Sequence, residues 1–146
     1  MANAPQPRQA WADEAPAIAR LIDAAYQPYR DAGIALPDVS GGVADAIAAN
    51  QVWVLEDEDL LGVLMLTLSP PQAHLMNVAV APKARGRGIG GQLILFAITQ
   101  ATEAGCAEIA LATHAQMPEN VTLYDRYGWQ ISSRDDVRIR MLRALP

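Results

Sequence analysis

A short run of glycines and arginines is the segment of this 146-residue chain with the clearest chemical potential. Arg85-Gly86-Arg87-Gly88-Ile89-Gly90-Gly91 follows an apolar extended run and leads into a segment with helical spacing. A glycine turn that opens a helix gathers unpaired backbone N–H groups and the positive end of the helix dipole around one point. Glycines also let a diphosphate approach the backbone closely. With Lys83 as a third nearby cation, the loop is predicted to bind a phosphate-bearing ligand.

Other interpretations of the glycines are weaker. A turn that merely redirects the chain would not need the surrounding cations or the helix that follows. A P-loop is excluded because no Lys-Ser or Lys-Thr pair follows the glycines. Gly86, Gly88 and Gly91 do match the dinucleotide pattern G-x-G-x-x-G, which expects an acidic residue at the end of the next strand. Glu108 opens its strand instead, and only one further helix and strand follow it.

The elements that must position the loop follow from hydrophobic periodicity. Helical spacing begins at Asp13 and is closed by Pro28 and Gly33, with a loop predicted at Asp31 to Val39. The other predicted helices are Val43 to Ala49, with Asp38 or Ser40 as cap, Ile89 to Ala104, and Pro118 to Tyr127. Strands are predicted at Val52 to Glu56, Leu61 to Leu68, His74 to Val80, Glu108 to Thr113, and around Val137, Ile139 and Met141. This order predicts an α/β (α+β-like) fold with a mixed, mostly antiparallel central sheet flanked by helices.

Composition limits the possible partners. The formal net charge is -5 and the pI about 4.8, so neither nucleic acid nor a membrane surface is expected as a partner. Cys106 is the single cysteine and is expected to be a buried, structural residue. We find no secretion signal pattern, and the longest apolar stretch, Leu60 to Leu68, is too short to span a bilayer. We expect a cytoplasmic single domain over residues 1–146, with residues 1–10 as a candidate flexible end.

The segment Asn77-Val78-Ala79-Val80-Ala81-Pro82, followed by the glycine loop, closely resembles the signature of the GNAT superfamily of N-acetyltransferases. The core of that signature, Gln/Arg-x-x-Gly-x-Gly/Ala, is filled by Arg85, Gly88 and Gly90. The later stretch Leu123-Tyr124-Asp125-Arg126-Tyr127-Gly128-Trp129 is similar to a second motif of the family. Two departures stand out: prolines before Trp11 leave the usual first strand short or absent, and Met117 stands where many members carry an asparagine.

The resemblance implies a GNAT-type acyl-CoA N-acyltransferase fold and an N-acetyltransferase that uses acetyl-CoA as acyl-donor substrate, without a metal. An amine would attack the thioester directly, through a tetrahedral intermediate whose oxyanion meets a backbone N–H near Val78. Tyr124 would protonate the departing sulfur, whereas Tyr127 is expected to be structural. The residues implied for cofactor binding are Val78, Ala79, Val80, Arg85, Gly86, Arg87, Gly88, Ile89, Gly90, Gly91 and, in place of the missing asparagine, Asn120.

The sequence does not identify the general base or the acceptor. His74, in the first half of the cofactor strand, is the candidate base because histidine titrates near neutral pH, with His114 and water chains as alternatives. The acceptor is a primary amine of a small molecule, peptide or protein. A non-catalytic acyl-CoA-binding sensor or a partner-binding module on the same fold is the alternative function. A homodimer is possible in which the last strand, taken as an edge, pairs with a second copy.

Overall fold

A computed structural model describes residues 5–36 and 40–146. Two 3-10 turns, Ala12–Glu14 and Pro82–Ala84, accompany four α-helices and seven strands. The helices are α1 (Ala15–Asp31), α2 (Val43–Ala48), α3 (Ile89–Glu103) and α4 (Pro118–Arg126). The strands are β1 (Arg8–Gln9), β2 (Val52–Asp57), β3 (Asp59–Ser69), β4 (Gln72–Val80), β5 (Glu108–His114), β6 (Gln130–Arg134) and β7 (Arg138–Ala144).

The strands form one sheet in the order β1-β2-β3-β4-β5-β7-β6. The pairs β1–β2, β2–β3, β5–β7 and β6–β7 are antiparallel, and β4–β5 is parallel. A parallel pair needs a long crossover, and α3 provides it. The predicted mixed, mostly antiparallel sheet is confirmed. None of the described helices is both long and apolar enough to span a membrane.

The chain divides into two compact units, which we describe separately. Unit 1 comprises residues 1–65 and 77–93, and unit 2 comprises residues 66–76 and 94–146. In unit 1, the apolar stripe of α1 is buried together with the inner positions of β2 and β3. Its fully buried side chains include Ile18, Ile22, Val54, Leu55, Val63, Leu64 and Leu93. This core includes β3 residues and the start of α3, which follows the glycine loop.

Unit 2 is built on β5 and β7, one face of which is buried. Its large, fully buried side chains include Leu66, Ile94, Ile109, Trp129 and Met141. Cys106 is buried as well, which confirms the expectation of its burial. The other face of β7 carries Arg138 and Arg140, both exposed, so this strand has the one buried and one wet face that its alternating sequence predicts.

Two helix boundaries were predicted wrongly. Pro28 lies inside α1 and does not end it; the helix continues to Asp31 because a proline in the last turns removes only one backbone donor. α2 has Gly42 as its N-cap, at φ 77°, and no side chain caps it. Ser40 is therefore not the cap, and Asp38, the other candidate, lies outside the described residues together with Pro37 and Val39 of the predicted loop.

The end of the chain also differs from the expectation. β6 was not predicted, since all five of its residues are exposed and polar residues dominate its sequence. β7 pairs with β5 on one side and with β6 on the other, so the last strand is not an edge. The proposed edge-to-edge pairing of β7 with a second copy is thus wrong for this strand. The first strand, β1, is two residues long, as the prolines before Trp11 predict.

Candidate functional site

The glycine loop joins β4 to α3 in unit 1 and depends on backbone conformations that glycine adopts easily. Gly86 and Gly88 have φ angles of 79° and 77°, in the left-handed region. A Cβ atom placed on either residue would meet no heavy atom of the described residues within 4 Å. Glycine is therefore required here for its φ angle rather than for space, and the backbone of the loop stands open to a ligand.

The N-terminus of α3 supplies donors beside this loop. The N–H of Gln92 donates to the carbonyl of Gly88 at 3.1 Å. The N–H groups of Ile89, Gly90 and Gly91 come before that bond and have no partner one helical turn earlier. The 15-residue helix adds the positive end of its dipole at the same place. Loop and helix together form an arrangement that suits the oxygens of a phosphate.

Close packing of α3 on β3 fixes the position of this helix start. Ile89 and Leu93 are both buried. A Cβ atom on Gly62 would lie 2.8 Å from Ile89 Cγ2 and 2.9 Å from Leu93 Cδ1. Gly62 is thus a residue that positions the loop, and it was not among the predicted site residues. A glycine inside an apolar strand indicates such a close approach and could have revealed it.

The three cationic side chains around the loop, Lys83, Arg85 and Arg87, make different contacts. Lys83 forms an exposed ion pair with Asp59 at 2.7 Å, so its charge is balanced within the protein. Arg85 Nη2 donates to the Ala25 carbonyl of α1 at 3.2 Å and ties the loop to that helix. Arg87 is exposed. Of the predicted cationic residues, Arg87 is therefore the one best placed to meet a ligand, while Arg85 also has a structural contact.

A partly buried polar pair links α1 to the strand before the loop. The Tyr26 hydroxyl donates to Asn77 Oδ1 at 2.8 Å, and Asn77 is a buried polar residue on β4. Burial raises the pKa of Tyr26 to about 12, so the phenol stays protonated and remains a donor. The pair joins residues 51 positions apart, so no local pattern around either residue could predict it.

The β4 backbone is only partly paired with β5. Their ladder covers Gln72 to His74 opposite Glu108 to Ala110, and no later pair is formed among the described residues, although β4 continues to Val80. Val78 and Val80 are half-buried and Ala79 is buried. Backbone groups on that edge of residues 77–80 are therefore outside the β4–β5 ladder.

Tyr124, on α4 in unit 2, is fixed by aromatic packing. Its ring meets the ring of Trp129 edge-on, with centroids 5.6 Å apart. The Trp129 Nε1–H donates to the Ile109 carbonyl at 3.0 Å, and its backbone N–H donates to the Tyr124 carbonyl at 3.1 Å. Both aromatic residues are buried. Packing thus restricts the orientation of the Tyr124 side chain to a narrow range.

The turn after α4 depends on an arginine. Arg143 Nε donates to the Tyr127 carbonyl at 2.7 Å, and its Nη1 donates to the Ala144 carbonyl at 2.8 Å. A Cβ atom on Gly128, at φ 100°, would lie 2.9 Å from Arg143 Nε. A cation at the C-terminus of a helix also interacts favourably with its dipole. We name Tyr124, Gly128, Trp129 and Arg143 the α4 corner.

Two further predicted site residues of unit 2, Asn120 and His114, each form a hydrogen bond near the end of β5. Asn120 Nδ2 donates to the Thr113 hydroxyl at 3.2 Å, which places its amide at the end of β5. His114 Nδ1 accepts the Gln116 N–H at 3.0 Å. That bond occupies the lone pair of Nδ1. His114 is therefore a poor candidate for a general base.

His74 lies on the exposed face of the unit 2 sheet. Cross-strand partners place their side chains on the same face, and the registers give three successive rows. They are His74, Ala110, Leu142 and Gln130; then Ala112, Arg140 and Ser133; then His114 and Arg138. We call this set the open face. The opposite side holds Ile109, Leu111, Met141 and Ile139, all buried.

Comparison with known proteins assigns this chain to a family. The model described as "Acetyltransferase (GNAT) family" matches residues 16–129. The chain belongs to the GNAT acetyltransferase family. Its curated relatives include the uncharacterized N-acetyltransferase YjgM of Escherichia coli (strain K12), which is 29% identical over 98% of this chain and 96% of its own length. YvbK of Bacillus subtilis (strain 168), likewise an uncharacterized N-acetyltransferase, is 32% identical over 53% of this chain and 51% of its own length.

The fold of this acetyltransferase agrees with that of solved structures. The PaiA N-acetyltransferase of Thermoplasma acidophilum, in complex with coenzyme A, superposes with a TM-score of 0.83 at 16% identity, over 97% of this chain and 99% of that one. At such low identity the agreement concerns the fold alone. It confirms the GNAT-type fold that the two sequence motifs imply.

The predicted site residues of the acetyltransferase fall into two groups. The β4 residues Val78 to Val80 and the loop Arg85 to Gly91 lie in unit 1, whereas Tyr124, Asn120 and His74 lie in unit 2. Within unit 2, a groove beside α4 is lined by Val121, Asp125 and Met141 together with Gln130 of the open face. Across the described parts of the chain, no three His, Cys, Asp or Glu side chains gather as a metal site.

Proposed function

We propose that this GNAT acetyltransferase uses acetyl-CoA as its acyl donor and transfers the acetyl group to a primary amine of a small molecule, peptide or protein. The observation that carries the proposal is the loop in which Gly86 and Gly88 hold positive φ angles directly before a 15-residue helix. A diphosphate carries several anionic oxygens and needs several donors at one place. The loop N–H groups and the α3 dipole supply them without any charged side chain.

The residues before the loop suit the rest of the donor molecule. A pantetheine arm carries two amide groups and can bind an exposed strand edge as an added strand would. The edge of β4 outside the ladder with β5 offers backbone partners at Val78 and Val80, and Ala79 between them is proposed to contact the arm by packing alone. The same edge is the proposed source of the N–H, near Val78, that stabilises the developing oxyanion. The Tyr26–Asn77 hydrogen bond supports this assignment because it holds β4 against α1.

Two side chains of unit 2 receive the proton-transfer roles. We assign protonation of the departing sulfur to Tyr124, whose buried position against Trp129 favours a fixed donor. We assign removal of the amine proton to His74, which is exposed and can reach a substrate, whereas His114 is held by the Gln116 N–H. Asn120 is proposed as an accessory polar group for the donor. The amine attacks the thioester directly, so no covalent enzyme intermediate is needed.

Substitution of Tyr124 tests the mechanism. Tyr124→Phe keeps the ring and its contact with Trp129 but removes the proton. Loss of a positioned general acid lowers the rate by on the order of 100- to 10,000-fold. We therefore expect this loss in kcat for thiol release, with little change in calorimetric affinity for acetyl-CoA. Tyr127→Phe, on the same helix end, is the matched control and should change kcat little. A Tyr124→Phe enzyme within about twofold of the parent would show that another group or water protonates the sulfur.

Substitution in the loop tests donor binding separately. Gly88→Glu places a carboxylate and a strained φ angle where the diphosphate is proposed to bind. We expect a folded protein with strongly weakened affinity for acetyl-CoA, measured by calorimetry. Unchanged affinity in a folded Gly88→Glu variant would remove the loop from the donor site.

A non-catalytic acyl-CoA-binding sensor is the alternative. A sensor would bind acetyl-CoA with the same loop dependence yet release no thiol with any amine. Detection of free thiol across a panel of primary amines distinguishes the two functions. A homodimer remains a proposal without a defined interface, because β7 is not an edge strand. Sedimentation at high protein concentration would detect it.

A further inference from the structure

The open face of unit 2 carries two arginines without an ion-pair partner among the described residues. Arg138 and Arg140 are both exposed there. Arg8 and Arg143, by contrast, are held by the protein itself: Arg8 binds Glu14 and Glu56 at 2.9 and 3.0 Å, and Arg143 donates to two carbonyls. Arg138 and Arg140 therefore present their guanidinium groups to solvent or to a ligand.

The residues between these arginines and His74 are small. Ala110 is the cross-strand partner of His74, and Ala112 lies opposite Arg140. Two steps across the sheet and two residues along a strand separate the Cα atoms of His74 and Arg140 by roughly 12 Å. The side chains of His74 and Arg140 stand at the two ends of this gap, the methyl groups of Ala110 and Ala112 form its floor, and Leu142, the neighbour of Arg140 on β7, borders it. The gap matches a compact molecule with one polar group at each end.

The charges near this gap favour an anion at the arginine end. Glu108, which is on the same face, lies one row beyond His74, on the side away from the arginines, and accepts a hydrogen bond from Gln72 at 2.6 Å. Asp135, in the β6–β7 turn, accepts the N–H groups of Val137 and Arg138 on one oxygen at 2.8 and 2.7 Å. The pKa of Asp135 is lowered first by these two N–H groups and also by the charges of Arg140 and Arg138. Asp135 thus offsets part of the charge of the two arginines, while Glu108 is held by Gln72. A planar guanidinium pairs best with a carboxylate, through two parallel hydrogen bonds.

We propose that the acceptor of this acetyltransferase is a small amine that also carries a carboxylate, which Arg138 and Arg140 bind while the amine lies at the His74 end of the open face. This inference rests on the proposed function, because it takes His74 as the base. It narrows the acceptor from primary amines in general to amino acids and molecules of the same chemistry. Simple alkyl amines and polyamines are expected to be poor acceptors.

Matched acceptors test the proposal on the intact enzyme. We would measure thiol release with α-, β- and γ-amino acids and with the carboxamide of each. The carboxamide keeps the amine and the size of the acid but lacks its charge. Loss of a charge-assisted hydrogen-bonded pair lowers affinity by on the order of 10- to 100-fold. We expect kcat/KM to favour at least one acid over its amide by that factor, and we expect the preference to be lost in Arg138→Gln/Arg140→Gln.

Arg134 provides the control. It is exposed on the same β-hairpin, but its cross-strand partner is the buried Ile139, so it lies on the opposite side of the sheet from Arg140. Arg134→Gln removes one positive charge without touching the open face and should keep the acid preference. Equal activity with acids and amides, or an equal loss of preference in Arg134→Gln, would overturn the proposed acceptor class.

A binding measurement separates this inference from the proposed function. Calorimetry on the CoA-loaded protein would compare each N-acetylated acid with its N-acetylated amide. If no amine releases thiol, the proposed catalytic function fails; tighter binding of the acid, lost in Arg138→Gln/Arg140→Gln, would still support the carboxylate site. If amines release thiol but acids bind no better than amides, the function stands and the carboxylate site is wrong.

Discussion

The glycine loop of unit 1 and the α4 corner of unit 2 keep their shapes by different means. In the loop, Gly86 and Gly88 hold positive φ angles with open space around them, so the conformation comes from the backbone. In the α4 corner, Trp129 is fully buried, its indole N–H is bonded, and Arg143 fills the space over Gly128. A region shaped by the backbone can change its ligand affinity with little change in stability. A region shaped by side-chain packing couples the position of Tyr124 to the stability of its unit.

The largest expected effect is in the α4 corner. Trp129→Ala removes a fully buried ring and leaves the Ile109 carbonyl without its donor. Truncation of a buried tryptophan costs about 3–5 kcal/mol of unfolding free energy. We expect a loss of that size in urea unfolding, with a fall in turnover because the ring against Tyr124 is gone. A loss below about 1 kcal/mol, ordinary for surface substitutions, would mean that packing does not hold the corner.

An intermediate effect is expected at the Tyr26–Asn77 pair of unit 1, which is a side-chain contact beside the backbone-shaped loop. Burial raises the pKa of Tyr26 to about 12 in the folded protein, from the value of 10.0 for a solvent-exposed tyrosine. Between these values the unfolded chain loses the phenol proton first, so stability falls as pH rises from 10 to 12. A shift of this size is worth about 2–3 kcal/mol at its full extent.

The measurement is urea unfolding from pH 9 to 12 for the parent and for Tyr26→Phe. The variant has no proton to lose at this position, so its stability should fall less steeply over that range. At pH 9 it should already be weaker by about 1 kcal/mol, since the Asn77 oxygen loses its donor. Identical alkaline slopes for the two proteins would show that the phenol is not shielded from solvent.

The smallest effect compares two glycines within the loop. Gly88→Ala places a side chain at φ 77° and should cost about 1–2 kcal/mol. Gly90 lies in the first turn of α3, where an added Cβ would meet Val80 Cγ2 at 3.6 Å, an ordinary contact. Gly90→Ala should therefore be neutral or stabilising by up to about 1 kcal/mol. Thermal unfolding of both variants checks the difference. Equal destabilisation would mean that space, rather than φ, selects glycine in this loop.

Local patterns in the sequence predicted most of the secondary structure and the loop. β4, α3, β5 and α4 were placed within two residues because prolines, glycines and periodic apolar residues mark their ends. The helix end at Asp31 was misplaced because a proline near the end of a helix loses little. β6 was missed because no buried residue marks it.

The parts of the site that depend on distant residues were not predictable. Tyr26 and Asn77 are 51 residues apart, and nothing in the local sequence of either one indicates the other. Gly62 and Leu93 meet only because α3 crosses β3. The open face emerges when β4, β5, β7 and β6 are placed in register, since its arginines and His74 come from separate strands. Backbone motifs are local in sequence, whereas surfaces that recognise acceptors are assembled from several strands.

The contact between Gly128 and Arg143 also sets a rule for exchanging residues between related enzymes. A side chain at position 128 would displace the guanidinium, and a shorter or unforked cation at position 143 could not serve both the Tyr127 and Ala144 carbonyls. The residues at positions 128 and 143 should therefore change together among functional variants. In a library randomised at both, survivors that lose Gly128 should also lose Arg143, and grafting the helix of a relative that lacks the glycine would require its partner strand to be transferred with it.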